Sequence, residues 1–177
     1  MKKIILASIF SLGLIGCTVD TMTKAHVNVS NFDGSKEIYS QPMYVFATTG
    51  FHGAPISLGA RWTEKVKDYV VVEAVVRGDY VNLASLYLNF DGEIKKYDAL
   101  SSPTKLTAPN SQTLSVRSSQ RGFMVPVTDI EKIRSSNSVK IKVTTLSDGY
   151  FEGVVSKDNR LSPGAKSLIN VIDQIQK

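Results

Sequence analysis

Residues 84–97, ASLYLNFDGEIKKY, contain the clearest indication of the fold of this chain. Every second residue from Ala84 to Phe90 is apolar, and the residues between them are polar or aromatic. Successive side chains of a β-strand point to opposite faces, so this alternation predicts a strand with one buried face. The pair Asp91-Gly92 follows at once and favours a two-residue hairpin turn, because glycine readily adopts positive φ. Residues 93–97 are then expected to form the returning strand of an antiparallel hairpin.

The same period of two recurs along most of the chain. Tyr69–Val76 is apolar almost throughout and rich in β-branched residues, which is typical of a central strand. Asp148-Gly149 is expected to turn the strand at residues 139–143 into the strand at residues 150–156. Further strands are predicted at residues 27–29, 44–46, 58–62, 114–116, 122–125, 139–143 and 150–156. Many short strands between turns predict a mainly β (α+β) domain, either an antiparallel β-sandwich or an open barrel.

Two helices are predicted among these strands. Thr128 and Glu131 fit a capping box, in which both side chains satisfy free amides at the start of a short helix that ends near Ser135. The second helix spans residues 162–176, with Ser162 as its cap and proline in its first turn. Its apolar residues fall on one face, so this C-terminal amphipathic helix is expected to pack on the sheet.

A four-residue motif occurs twice, as Asn31-Phe32-Asp33-Gly34 and as Asn89-Phe90-Asp91-Gly92. The apolar residues before the second copy share the parity of its phenylalanine, whereas Val27 and Val29 before the first copy have the opposite parity. A shift of one residue exchanges the two faces of a strand. We therefore expect two independent turns that bury opposite faces, and no internal duplication.

The amino-terminal residues form a separate unit. Lys2 and Lys3 precede an apolar run over residues 4–15, which is shorter than the roughly 20 residues that span a bilayer as a helix. A basic start followed by a short apolar run and a small residue describes a secretory signal peptide. The end of this run, Leu14-Ile15-Gly16-Cys17, resembles the lipobox of bacterial lipoproteins.

The resemblance implies cleavage between Gly16 and Cys17, alkylation of the Cys17 thiol with diacylglycerol, and acylation of the new amino terminus. Two or three acyl chains anchor a protein stably, whereas one chain holds it only marginally. Cys17 is the only cysteine of the chain, so the domain after it has no internal disulfide. The alternatives are an ordinary signal peptide with an incidental cysteine and an uncut signal anchor.

Three parts follow from this interpretation: a signal peptide at 1–16, a lipidated tether at 17–24, and a single domain at 25–177. In the sorting rule of Gram-negative lipoproteins, aspartate after the cysteine retains the protein in the inner membrane. Thr18 therefore predicts an outer-membrane protein that faces the periplasm of a Gram-negative host. Removal of Lys2 and Lys3 lowers the formal charge from +5 to +3, which does not suggest a nucleic-acid partner.

The sequence singles out no catalytic residue, metal site or cofactor. Ser102 and Lys105 match the S-x-x-K pattern, but that pattern requires a helix, and this stretch is typical of a loop. The two histidines, His26 and His52, are far apart and lack a second ligand at a metal-binding spacing. A pair of carboxylates for glycan hydrolysis is not singled out either.

The best candidate for a binding site is the loop at residues 47–55. It combines flexible glycines with Phe51 and His52, and Trp62 lies a short way along the chain. Loops on a rigid scaffold often carry function, and aromatic side chains favour interfaces. The alternative is a hairpin loop whose aromatic side chains pack over the end of the β-domain.

These observations together predict a lipid-anchored envelope protein whose non-catalytic β-domain binds a partner protein or another envelope component. An inhibitor or immunity lipoprotein is a special case of this hypothesis. The alternatives are a periplasmic hydrolase acting on peptidoglycan, glycan or lipid, and a structural subunit of an envelope assembly. An exposed edge strand would favour the last of these, because an edge can pair with another chain.

Overall fold

The computed structural model describes residues 19–48, 53–109 and 116–177. Its helices are α1 (Val19–Met22), α2 (Val127–Ser135) and α3 (Pro163–Ile175), with a 3-10 turn at Glu64–Val66. Its strands are β1 (His26–Val29), β2 (Lys36–Tyr39), β3 (Met43–Phe46), β4 (Gly53–Thr63), β5 (Tyr69–Arg77), β6 (Leu83–Phe90), β7 (Glu93–Asp98), β8 (Lys105–Thr107), β9 (Ser118–Pro126), β10 (Ser138–Thr145), β11 (Tyr150–Lys157) and β12 (Arg160–Leu161). None of the helices described is long and apolar enough to span a bilayer.

The described strands form one antiparallel sheet that curves into a half-barrel, which confirms the predicted mainly β fold. The main path runs β7-β6-β10-β11-β3-β4-β5-β9-β8, while β1 and β2 are attached to β4 and β12 to β11. The first strand of the path approaches the strand next to its other end, because Ala99, just after β7, forms a bridge with Phe123 of β9. The Leu100 amide also donates to the Gly122 carbonyl at 2.9 Å.

The hairpin predicted at residues 84–97 is present as β6 and β7. Phe90 pairs with Glu93 across the turn, and Asp91 and Gly92 have φ values of 51° and 107°. Both turn residues therefore occupy the left-handed region that a two-residue hairpin requires. Leu86, Leu88 and Phe90 of β6 are buried, whereas Ala84 is only partly buried.

The connection between β2 and β3 crosses closely over β4 and sets the positions of these two strands. The chain passes Gly59 so closely that a Cβ there would lie 2.8 Å from the Ser40 carbonyl oxygen and 2.9 Å from the Pro42 nitrogen. The Ser40 amide donates to the Ala60 carbonyl, and the Ser40 hydroxyl accepts from the Ala60 amide. Only glycine leaves room for this crossing. Because the chain crosses β4 here, β2 and β3 pair with different halves of β4.

The C-terminal helix α3 is confirmed as the element that covers the sheet. The Ser162 hydroxyl accepts from the Ala165 amide at 3.1 Å, and proline occupies the first turn. Its apolar face packs on β3 and β4, with Leu168 fully buried and Ile172 nearly so. Gly164 lies against the β3 backbone, where a Cβ would be 2.8 Å from the Met43 carbonyl oxygen.

The predicted capping box at Thr128 and Glu131 is wrong. β9 runs through Pro126 directly into α2, so the helix begins at Val127 and Thr128 is already inside its first turn. Pro126 is the capping residue, and no side chain accepts a hydrogen bond there. The end of this helix at Ser135 agrees with the prediction.

The segment predicted as a tether is partly folded. Residues 19–22 form α1, and Asp20 makes a 2.7 Å ion pair with Lys166 of α3. The Asn170 side chain donates to the Thr23 carbonyl at 2.9 Å, and Thr23 is fully buried. Residues 20–23 are therefore fixed on α3, because polar groups of both segments satisfy one another.

The strands β2, β8 and β12 were not predicted, because none of them contains two apolar residues in alternating positions. Most of the strand predicted at residues 114–116 lies outside the described residues, and Val116 is exposed and outside any strand. The two copies of the four-residue motif form separate turns, but β1 before the first copy is exposed along its whole length and so buries neither face. Phe90 is 3 % exposed in the core, whereas Phe32 is 99 % exposed.

Candidate functional site

The outer face of the sheet carries a group of lysine and tyrosine side chains on four neighbouring strands. The period of two turns the apolar residues of β6 and β10 inward, so Tyr87, Lys140 and Lys142 point outward. Lys96 of β7 and Tyr150 of β11 belong to the same outer face. We call these five residues the lysine–tyrosine face.

The strand register places these side chains in rows across the sheet. One row runs from Glu152 through Lys142 and Tyr87 to Lys96, because each residue pairs directly with the next. Side chains directly opposite one another on an antiparallel pair have Cβ atoms about 5 Å apart, so this row is continuous. The next row is more apolar and runs through Phe46, Val154, Lys140, Asn89 and Ile94.

A shallow groove of about 530 Å³ follows these rows. Its floor and walls come from strands β6, β7, β10 and β11 and from the end of β3. Its lining residues are Thr48, Tyr87, Asn89, Ile94, Lys140, Ile141, Lys142, Thr144, Glu152 and Gly153. The groove is therefore lined by apolar, aromatic and cationic groups together.

The charges of this face are only partly compensated. Lys142 lies 4.3 Å from the centre of the Tyr150 ring and 4.0 Å from the Glu152 carboxylate. The hydrogen bond with Asp98 raises the pKa of Lys96 above its ordinary value. Lys140 has no ion-pair partner within the described part of the chain and is exposed. The face thus presents cations that have few neighbouring carboxylates.

The predicted binding loop begins beside this groove. Thr48 lines it, and Gly53 pairs with Phe46 at the start of β4, whereas Phe51 and His52 lie outside the described residues. Cys17 and Gly16, the predicted lipidation and cleavage residues, also lie outside the described part. The loop remains a prediction, and of its described residues Thr48 lines the groove.

Trp62 does not share a surface with that loop. Its side chain belongs to the core, is 6 % exposed, and donates its indole N–H to the Lys67 carbonyl at 3.0 Å. It lies near the far end of β4 from Gly53, and a strand of that length extends about 33 Å. A shared aromatic site was predicted because Trp62 is close to the loop in sequence. The length of β4 separates Trp62 from Gly53, at the loop end of that strand.

The most buried charged cluster joins α2 to β7. The Asp129 carboxylate is 7 % exposed and accepts hydrogen bonds from the Lys95 ammonium and, at 3.0 Å, from the Tyr97 hydroxyl. Burial and the Asp129 contact raise the pKa of Tyr97 well above its ordinary value, and the hydrogen bond with Asp129 raises the pKa of Lys95. Both donors are hydrogen-bonded to the Asp129 carboxylate, so this cluster holds α2 on β7.

The residues that the sequence offered as catalytic or metal-binding candidates do not form a common site. Ser102 lies in an exposed loop and Lys105 begins β8, so the two do not share a helical turn. His26 stacks on Tyr39, with ring centres 5.4 Å apart. Within the described ranges, three or more histidine, cysteine, aspartate or glutamate residues nowhere gather as a metal site would require.

Comparisons of the chain with protein-family models, with curated proteins and with solved structures found no match. The lysine–tyrosine face was not predicted as a site. Its alternating pattern indicates solvent-facing side chains, but the pattern does not tell which strands are neighbours. The face forms only because β10 inserts between β6 and β11, which are far apart in sequence.

Proposed function

We propose that this chain is a lipid-anchored envelope lipoprotein whose non-catalytic domain binds a partner protein through the lysine–tyrosine face. The supporting observation is the pair of rows that puts Lys140 and Lys142 beside Tyr87 and Ile94. Tyrosine and exposed apolar side chains contribute most of the binding energy at protein interfaces, while charges set orientation and association rate.

The partner is expected to offer an acidic surface around an apolar centre. The face has three lysines and only two adjacent carboxylates, those of Asp98 and Glu152. Ile94 is 65 % exposed and Tyr150 is 58 % exposed, so a partner would remove considerable apolar surface from water. Complementary charge on the partner would compensate Lys140 in particular.

The anchor places this surface in the envelope. Diacylglycerol on Cys17 would hold the domain at the outer membrane, facing the periplasm, as the lipobox-like residues imply. Replacement of Cys17 by serine should abolish incorporation of a labelled fatty acid and release the chain from the membrane fraction. Fatty-acid incorporation in the Cys17→Ser variant would contradict the anchoring.

Site-specific photocrosslinking in the native envelope tests the binding surface. A benzophenone amino acid replaces Tyr87 or Tyr150 on the face, and Tyr69, exposed on β5, serves as the control position. We expect one protein to crosslink at the two face positions only. Charge reversal by Lys140→Glu should reduce that crosslink at least tenfold, because it replaces attraction to an acidic partner by repulsion.

A matched control keeps the charge experiment specific. Lys67 is exposed at the other end of β4, so Lys67→Glu changes the net charge equally without touching the face. The proposal fails if Lys67→Glu reduces the crosslink as much as Lys140→Glu does, or if Tyr69 captures the same protein. Recovery of a glycan and no protein at Tyr87 would instead favour the hydrolase alternative.

A further inference from the structure

The hairpin of β1 and β2 carries exposed apolar side chains that the core does not use. Val27 pairs with Ile38, which is fully buried, so both side chains lie on the core face of the sheet. Val27 is nevertheless 43 % exposed and Val29 is 55 % exposed, because β1 extends beyond the elements that cover the core. Met22, just before this hairpin, is 51 % exposed as well.

Backbone groups of β1 are also free. The Ser30 amide donates to the Ser35 carbonyl, and hydrogen-bonded pairs alternate along an antiparallel ladder. Asn28 is therefore in a hydrogen-bonded pair with Glu37, whereas Val27 and Val29 direct their N–H and C=O groups away from β2. This outer edge carries no charged side chain, although natural edge strands are usually protected by charges.

Phe32 lies at the tip of the hairpin and away from the domain, in a turn whose polar groups are hydrogen-bonded to one another. The Ser30 hydroxyl accepts from the amides of Phe32 and Asp33, at 3.2 and 3.3 Å. The Asp33 carboxylate accepts from Ser35 and pairs with Lys65 at 2.9 Å. These hydrogen bonds, first that of Ser35 and then that of Lys65, hold the pKa of Asp33 well below its ordinary value. Full exposure of Phe32 is thus fixed by the local structure.

The chain between the proposed lipid site and this hairpin is short. Eight residues lie between Cys17 and His26, and residues 19–22 are helical. Extended and helical rises together limit that distance to about 25 Å. Contacts of Asp20 with Lys166, and of Thr23 with Asn170, fix part of this connection on α3. A lipid on Cys17 would therefore keep the bilayer within reach of the hairpin.

Charge supports a lipid surface as the occupant. Lys24 precedes β1 and Lys36 of β2 pairs with Val29, and neither lysine has an ion-pair partner within the described part of the chain. Cations beside exposed apolar and aromatic side chains are typical of segments that lie in the headgroup region, where free backbone groups remain hydrated. A protein partner at the β1 edge is the competing occupant, and nothing on the edge indicates what such a partner would be.

We infer that the β1–β2 hairpin rests on the bilayer that holds the anchor, with Phe32 inserted at the boundary between headgroups and acyl chains. The inference depends on the lipid anchor proposed above. It also orients the domain. The hairpin pairs with β4 at residues 61–63, whereas the groove includes Thr48, just after the Phe46 that pairs with Gly53 at the other end of β4. The length of β4 therefore separates the membrane side from the binding side.

Tryptophan fluorescence in vesicles tests the inference. Full-length chain matured in its host membrane carries Phe32→Trp and is reconstituted into phosphatidylethanolamine and phosphatidylglycerol vesicles with brominated acyl chains. We expect a blue-shifted emission and at least twofold quenching relative to unbrominated vesicles. The unmodified chain, with Trp62 in the core, gives the background. Ile94→Trp on the outer face is the matched exposed control and should remain unquenched.

Vesicle flotation separates the two possible failures. If the chain floats with the vesicles and the Phe32→Trp variant is quenched no more than Ile94→Trp, the hairpin does not touch lipid and the inference is overturned while the anchor stands. If the chain does not float, both the anchor and the inference are overturned. Purified vesicles contain no other protein, so quenching at position 32 reports lipid contact alone.

Discussion

Asp129 shows how single residues hold this molecule together. A carboxylate that is 7 % exposed would be costly alone, but Lys95 supplies a compensating charge and Tyr97 a second hydrogen bond. The ammonium and the phenol both come from β7, and the carboxylate comes from the first turn of α2. The cluster therefore ties the end strand of the sheet to the helix that follows β9.

The raised pKa of Tyr97 predicts a pH dependence of stability. Folding favours the protonated phenol, so its contribution is complete below the unfolded pKa of about 10 and is lost as pH rises above that value. The raised pKa of Lys95 acts in the same direction. Tyr97→Phe should cost about 1–2 kcal/mol in the free energy of unfolding at pH 8. At pH 11 the difference should shrink by about 1 kcal/mol.

Denaturant unfolding at both pH values measures this effect. Tyr69→Phe is the matched control, because Tyr69 is 43 % exposed and should give the same small difference at either pH. An equal cost of Tyr97→Phe at pH 8 and pH 11 would show that the phenol does not hold its proton against Asp129.

At the scale of elements, one of the two predicted helix caps is present and the other is not. Ser162 caps α3 through its hydroxyl, whereas Thr128 lies inside α2. Ser162→Ala should therefore lower the free energy of unfolding by about 1 kcal/mol. Thr128→Ala should change it by no more than about 0.5 kcal/mol, since it removes no cap. Thermal or denaturant unfolding of the two variants checks this pair, and a loss at Thr128 equal to that at Ser162 would restore the capping box.

Local patterns predicted elements well where one residue type decides the geometry. Asp91-Gly92 specified its hairpin, and Ser162-Pro163 specified the start of α3, because backbone preferences act within a few residues. The start of α2 was missed because the preceding strand determines it. β2 and β12 were missed because neither contains two apolar residues in alternating positions, so no period of two marks them.

For the candidate site, the sequence supplied the side-chain directions but not their neighbours. Alternation in β6 and β10 puts Tyr87 and Lys142 on the solvent side, yet 55 residues of chain separate them. Strand order is set by packing of the whole core, which no local window contains. The Trp62 prediction failed for the same reason, since the length of a strand lies between it and the loop.

At the scale of the whole molecule, Arg121 lies where the curved sheet meets itself. Its guanidinium donates to the Leu83 carbonyl at the start of β6 and, at 3.0 Å, to the Leu100 carbonyl just after β7. The same region contains the bridge of Ala99 with Phe123 and the Leu100 amide bonded to Gly122. This side chain of β9 thus joins the start of β6 and the segment after β7, and neither of these is connected to β9 by a strand ladder.

Loss of this guanidinium should open the half-barrel locally. Arg121→Met keeps an unbranched chain but leaves the carbonyls of Leu83 and Leu100 without their charged donor, which should cost about 2–3 kcal/mol. Hydrogen exchange of the Leu100 amide reports the opening directly, and we expect it to accelerate more than tenfold while amides of β4 and β5 stay protected. Arg77→Met, at an exposed position of β5, is the control. If the Leu100 amide exchanges at the same rate in both variants, core packing alone holds β7 and β9 together, and the Arg121 hydrogen bonds are not needed to keep the half-barrel closed there.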